Sequence, residues 1–276
     1  MKKTNSRKRK VKRKPVKTSR TRKPENMTLE EWQVALRREY GQSQEFKVKN
    51  LDNEPIFSDF EVMNPQTEKR YRVSIRGNAL GVNYCSCPDF AVNTLGTCKH
   101  IEWLLAKLSR KRGGTKAFQE GYIPLPSEVY LEYGLKRQVC FQAGQACPEA
   151  LHRLTKRYFD ASNILRADKY VDFERFVRQF YALDNSGRIY EDVLAFVAQV
   201  RDDAHRTEAI EALFRGKRKP TVFKKLVKVA LYPYQQQGAI FAAKAGRCLI
   251  ADDMGLGKTI QSIAAAELLA KICCIE

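Results

Sequence analysis

Three cysteines and a histidine fall in two tight pairs, Cys85-Ser86-Cys87 and Cys98-Lys99-His100, with ten residues between them. Both pairs can serve one ion only if the backbone brings them to a single point, which narrows the folds open to this stretch. Residues i and i+2 of an extended segment face the same way, so Cys85 and Cys87 at a strand end can converge on a common partner. Cys98 and His100 open an apolar helical pattern. The loop between the pairs is rich in turn formers and can fold back. Three thiolates and one imidazole make a closed tetrahedral set, the type in which zinc is structural and no position is left for catalysis. The positive end of the helix dipole is expected to favour thiolate at Cys98. The bland alternative, three buried free cysteines and a surface histidine, leaves unexplained why one of only three histidines stands two residues after a cysteine. Catalytic cysteine chemistry lacks a separate base.

The flanking pattern fits such a site. Thr28-Leu29-Glu30-Glu31 is a capping box that starts a helix running to about Arg38 and stopping near Gly41. Between 44 and 86, Phe46 and Val48, then Phe57, Phe60 and Val62, then Tyr71, Val73 and Ile75 fall in short or alternating apolar runs. Turn formers at Asn64-Pro65-Gln66 and Gly77-Asn78 separate them, which predicts an antiparallel meander ending at Val82–Cys87. Ile101, Leu104, Leu105 and Leu108 share one helical face, and basic residues at 107 and 110–112 suit the C-terminal end of that helix. Residues 28–112 are thus expected to form one β-then-α module.

Cys-x-Cys, ten residues, Cys-x-His resembles the SWIM zinc finger, a family that occurs in Swi/Snf-type ATPases and transposases. The similarity covers about residues 59–108. It implies a structural zinc held by Cys85, Cys87, Cys98 and His100, with folding coupled to metal binding. It also implies a DNA-binding or protein-binding role, without deciding between them.

The formal net charge of +19 is concentrated: residues 1–23 hold thirteen Lys or Arg and no acid, leaving about +6 for the rest. Residues 1–27 therefore read as an exposed, disordered basic tail suited to salt-sensitive phosphate contacts or to nuclear import. There is no apolar run of the ~20 residues needed to span a bilayer, and no apolar segment follows the basic stretch as in a secretory signal. The expectation is an intracellular protein without membrane attachment, cytoplasmic, or nuclear if the cell is eukaryotic. In a reducing compartment the eight cysteines point to metal or burial and not to disulfides. Cys140, Cys147 and Cys248 are expected to be buried or inert, His152 and His205 to lie on the surface, and Trp32 and Trp103 to anchor packing.

Further along, Val129–Tyr133 and Arg137–Phe141 read as a strand pair joined near Gly134. A helix is predicted from Pro148 to about Leu165, another around Phe173, Phe176, Val177 and Phe180, ended near Asn185-Ser186-Gly187, and a third through Tyr190, Val193, Leu194, Val197 and Val200. Lys217-Arg218-Lys219-Pro220 reads as a basic, helix-ending linker.

A second chemical motif lies near the C-terminus. Cys248-Leu249-Ile250-Ala251 is a short strand-like run, followed by Asp252-Asp253-Met254-Gly255-Leu256-Gly257-Lys258-Thr259 and a helical pattern. Strand, glycine loop, Lys-Thr and helix are the context of a Walker-type loop. Gly255 and Gly257 would let backbone N–H groups approach phosphate, Lys258 would reach the β- and γ-phosphates, and Thr259 would hold Mg²⁺. Asp252 occupies the first glycine position, a departure from the general pattern. The run 251–261 resembles motif I of Swi/Snf-type ATPases of helicase superfamily two, and Leu231-Tyr232-Pro233-Tyr234-Gln235-Gln236-Gln237-Gly238 resembles that family's adenine-recognition motif. The resemblance covers about residues 229–271 and implies that Gln235 contacts adenine. A SWIM module ahead of such an ATPase is a known arrangement, notably in bacterial members. The family's Asp-Glu motif, later motifs and second lobe with its arginine finger do not occur in these 276 residues, so no catalytic residue is assigned and the chain is expected to be inactive alone.

The expected fold class is α+β: a small zinc-bound antiparallel sheet plus helix (28–112), a mainly helical region (113–220), and an incomplete α/β RecA-like lobe (221–276). The first functional expectation is the N-terminal part of a Swi/Snf-type DNA-dependent ATPase, with structural Zn²⁺ and with ATP and Mg²⁺ as possible ligands. Its expected partner is nucleic acid, DNA above all, reached through the tail and zinc module, with a protein partner as the other option. The competing expectation is a stand-alone zinc-binding module for nucleic acid or protein. A P-loop kinase or transferase is disfavoured by the adenine-motif resemblance.

Overall fold

The computed structural model describes residues 18–215 and 219–273, of which the chain makes two compact units divided between Ala146 and Cys147. Of the basic tail, residues 1–17 lie outside the described residues. Residues 18–27 run beside the first helix, where Trp32 Nε1 donates to the Ser19 carbonyl at 2.8 Å and the Thr18 N–H donates to Glu39 at 2.8 Å.

In the first unit, helix α1 (Leu29–Gln42) starts as its sequence dictates. The Thr28 hydroxyl accepts from the Glu31 N–H, and the Glu31 carboxylate accepts from the Thr28 N–H. Four strands follow, β1 (Lys47–Asn50), β2 (Asp59–Met63), β3 (Arg70–Ser74) and β4 (Tyr84–Cys85), each antiparallel to the next in the order β1-β2-β3-β4. Val48 pairs with Val62, and Val73 with Cys85, so the register that buries the apolar face also sets the first ligand at the sheet edge. A short helix α2 (Pro88–Val92) and the longer α3 (Lys99–Arg110) come next, and α3 packs on α1. Ile101, Leu104 and Leu108 of α3 are buried, the face that periodicity marked.

Helix α4 (Gly114–Glu120) leads into the hairpin β5 (Glu128–Glu132) and β6 (Gln138–Gln142). This hairpin belongs to the same unit as the metal-binding segment, so contacts run across the boundary expected at 112. The Tyr133 N–H donates to the Gly81 carbonyl at 2.9 Å, Gly81 N–H donates to Gly96, and Arg137 donates to the Ala91 carbonyl. Gly96 has φ +68°, and a Cβ there would lie 2.7 Å from the Tyr133 carbonyl, so both its handedness and its lack of side chain are needed.

The second unit is built mainly on helices: α5 (Glu149–Tyr158), α6 (Phe173–Leu183), α7 (Glu191–Leu213), α8 (Lys219–Leu226), α9 (Pro233–Ala245) and α10 (Lys258–Cys273). Helix α5 ends seven residues before the predicted Leu165. Asp160 Oδ1 accepts from the Ser162 and Ile164 N–H groups, and Asn163 takes a left-handed φ of 60°. That side chain competes with the helix for backbone donors, and Phe159 then bridges to Leu165. Phe159, Phe173, Phe176 and Phe180 are fully buried around α5 and α6. The linker at 217–220 lies partly outside the described residues, and the described chain resumes as helix at Lys219.

Two expectations near the C-terminus are corrected. Residues 248–251 form no strand, and Leu249 is 84% exposed. A strand requires a neighbour to take its N–H and C=O groups, and among the described residues none lies beside it, so no parallel sheet is built there. Cys248 is exposed, not buried. Instead α9 and α10 pack through small residues, Ala239 and Ala243 against Ala264, Ala265 and Leu268, with Ile210, Phe214, Phe223 and Leu231 completing the cluster. Phe241 and Ile263 stay exposed on these helices. Among the described residues no helix is long and apolar enough to cross a membrane.

Candidate metal centre

All four residues singled out by spacing meet at one point. The Sγ atoms of Cys85, Cys87 and Cys98 and a ring nitrogen of His100 lie within 4.8 Å of one another, and all four side chains are buried. His100 Nδ1 is 3.8 Å from Cys85 Sγ and 3.9 Å from Cys98 Sγ. Zinc bond lengths placed at a tetrahedral angle require an S···N separation of about 3.6 Å. The cluster is therefore already at the size of a zinc shell.

Each element supplies its ligand for a local reason. Cys85 ends β4. Cys87 caps α2, its sulfur accepting from the Phe90 N–H at 3.4 Å, and Pro88 at the first helical position lacks the N–H that would have needed a partner. Cys98 caps α3, and His100 sits in that helix's first turn. The imidazole is held between Phe46 (ring centroids 5.0 Å apart) and Tyr71 (4.8 Å).

The electrostatics of the cluster favour a cation. Burial pushes the Cys85 thiol well up, with hydrogen bonds and repulsion among the sulfurs adding to it, and burial raises Cys98 to about 12. Cys87 is driven far down, because the Cys85 and Cys98 thiols both donate to its sulfur and the Phe90 N–H adds to them. At Cys98 the Ile101 N–H lowers the thiol, the direction expected at a helix N-terminus, and burial outweighs it. A divalent ion would replace the shared protons and remove the repulsion among three packed sulfurs.

Supporting residues hold the ligand loop. Glu102, 4% exposed, accepts from Thr97 Oγ1 at 2.9 Å and from Arg38 Nε at 2.7 Å, fixing the residue before Cys98 to α1. Arg37 grips Asp89 with two bonds, at 2.8 and 3.1 Å, tying α2 to the same helix. Asn93 Nδ2 donates to the Asp89 and Thr97 carbonyls. These partners were not found from sequence. Glu102 and Arg38 stand 64 residues apart, and no periodicity links them.

Residues 71–109 match the SWIM zinc finger family. The matched span contains all four residues of the buried cluster, so the family similarity and the candidate metal site coincide. Local matches join it to larger proteins. The chain is 54% identical over 41 residues to the mouse DNA annealing helicase and endonuclease ZRANB3, and 58% identical over 38 residues to the human protein of that name. The bovine protein is 49% identical over 41 residues. These stretches are 13–14% of this chain and 4% of each relative, so only a small part of those proteins is represented here. No solved structure matches the chain.

The other predicted ligand-binding residues also fall close together. Gln235, buried in the first turn of α9, donates to the Leu256 carbonyl at 3.2 Å, and the Tyr234 hydroxyl donates to the same oxygen at 3.1 Å. Gly255 and Gly257 both take left-handed φ, and a Cβ on Gly257 would stand 2.6 Å from Gln235 Nε2. Lys258 Nζ donates to the Asp252 and Asp253 carbonyls at 2.9 and 3.0 Å, while Thr259 is exposed at the start of α10.

Proposed function

We propose that this chain is the N-terminal part of a Swi/Snf-type DNA-dependent ATPase, in which the SWIM finger is a zinc-stabilised module that engages nucleic acid. The observation carrying the reading is the buried Cys85, Cys87, Cys98 and His100 cluster inside the SWIM match. In this reading zinc supplies rigidity alone. Its four ligands leave no open position for a reacting water, and the chain's own residues set the ligand geometry through Glu102, Arg37 and Phe46. The local identity to ZRANB3, a DNA annealing helicase by name, supports DNA as the partner.

Residues 221–276 would then contribute to an ATP site, with Gln235 reading adenine, Gly255 and Gly257 admitting phosphate, Lys258 countering its charge and Thr259 serving Mg²⁺. Gln235 lying against the glycine loop supports this assignment, because base and phosphate contacts must sit on one rigid frame. Domain limits on this reading are a basic tail (1–27), the finger (28–112), an intermediate region (113–220) and the ATPase segment (221–276). Hydrolysis is assigned to none of these residues.

Two measurements test the reading. Purified chain should contain one zinc and bind DNA in a manner lost on chelation. A fluorescent ATP analogue should bind, and Lys258→Ala should abolish that binding. A metal-free protein that keeps its fold would end the zinc assignment, and equal nucleotide binding by Lys258→Ala would end the ATP assignment.

A further inference from the structure

We propose that the exposed face of α3, with the end of α1, is a stacking platform for single-stranded nucleic acid. Tyr40 and Trp103 would take bases, and Lys99 and Lys107 the adjoining phosphates. The inference rests on the reading that the finger binds nucleic acid, and deepens it by naming the surface and the strandedness.

Lys99, Trp103 and Lys107 recur every four residues along α3, so they line one side of the helix. Each ring already holds an ammonium over its face. Lys99 Nζ lies 5.3 Å from the Tyr40 ring centroid, and Lys107 Nζ 4.9 Å from that of Trp103. Tyr40 is 43% exposed, Trp103 is half-buried, and Lys107 and Arg110 are exposed. Gly41 lets the end of α1 close onto the α3 backbone, where a Cβ would lie 2.5 Å from the Lys99 carbonyl and 3.3 Å from the Trp103 nitrogen. Any other residue there would push α1 and its tyrosine away.

The platform is stiff where it must be. Trp103 packs edge-on against buried Phe46 at 5.5 Å, and Phe46 in turn covers His100. The only acid of α3, Glu102, is buried beneath Arg38, so the helix offers no carboxylate on this face. On the neighbouring segments, Glu39 accepts from the Thr18 N–H, and Glu45 is exposed in the link to β1. Cations alone would suit any phosphate backbone. Rings with cations poised over them suit bases free to leave their own stack, with the lysines moving from ring to phosphate. A duplex keeps its bases stacked and would use the lysines only.

The test uses the full chain loaded with zinc, at low salt, with an oligothymidine of about 15 nucleotides and a duplex of equal length, a size near one binding module. Trp32→Phe leaves Trp103 as the single tryptophan, and oligothymidine should quench its fluorescence. Trp103→Leu and Tyr40→Leu should each weaken single-strand binding about tenfold and leave duplex binding nearly unchanged. Trp103→Phe, which keeps a ring and the packing, should retain most of the affinity. Lys99→Gln with Lys107→Gln should weaken both forms and reduce the salt dependence by about two ions. Zinc content and circular dichroism verify that each variant is folded. The platform is refuted if ring removal affects both forms equally or neither, or if oligothymidine leaves Trp103 emission unchanged. If the wild-type chain binds no nucleic acid in any form, the functional reading falls together with the platform.

Discussion

Replacing Glu102 with alanine should loosen the metal centre without touching a ligand. The carboxylate is 4% exposed and divides its oxygens between Thr97 Oγ1 and Arg38 Nε. Thr97 is 1% exposed, so its hydroxyl would lose a charged acceptor in a place water does not reach. A bond of that kind contributes about 1.5–3 kcal/mol. The Arg38 side chain is 55% exposed and can rehydrate, so its share is discounted to about 0.5 kcal/mol. The expected cost is therefore about 2–3.5 kcal/mol, or a fall of roughly 10 °C in the unfolding midpoint. Because Thr97 precedes Cys98, zinc affinity should drop by about 10- to 100-fold, as for other residues that orient ligands. Glu102→Gln keeps an acceptor for Thr97 and should lose only about 1 kcal/mol. Thermal unfolding followed by circular dichroism, with a competitive zinc titration, reads both quantities. An alanine variant that melts with wild type and holds zinc equally well would refute the reasoning.

Zinc entry must expel the protons held by the cluster, and burial raises the Cys85 and Cys98 thiols. Affinity should therefore rise with pH between 7 and 8.5, by about tenfold per pH unit for each proton displaced; a competitive titration showing no pH slope would contradict it. Chelation or Cys87→Ser should unfold the segment around β1–α3, seen as lost far-UV dichroism. Gly96→Ala should destabilise the first unit by more than about 1 kcal/mol in urea unfolding, since φ is +68° and the Tyr133 carbonyl is in the way. Gln235→Ala should weaken binding of an adenine nucleotide far more than binding of inorganic triphosphate; equal losses would refute its role.

What the chain shows before folding depends on how local the cause is. The Thr28 capping box, the alternating strands and the paired ligands are set by neighbours within a few residues, and the structure has each of them. The end of α5 lies in a competition between Asp160 and the helix that apolar spacing does not register. The run at 248–251 has strand composition but no partner strand among the described residues, and composition alone says nothing of partners. Glu102 reads as an ordinary helix-surface acid until α1 folds over it. The distribution of protons among the three sulfurs likewise depends on distances that spacing leaves open.

The Tyr133 clasp has a practical outcome. The backbone of the β5–β6 turn region bonds to Gly81, and Phe90 of α2 rests on the Tyr133 ring at 4.5 Å. A recombinant piece trimmed at Arg112 would keep every metal ligand, yet would open the back of the loop that carries half of them. Such a fragment should bind zinc and still exchange its amide hydrogens quickly around Gly81 and Gly96. The working boundary for isolating this finger is thus after Ala146, about thirty-five residues beyond the last ligand-bearing helix.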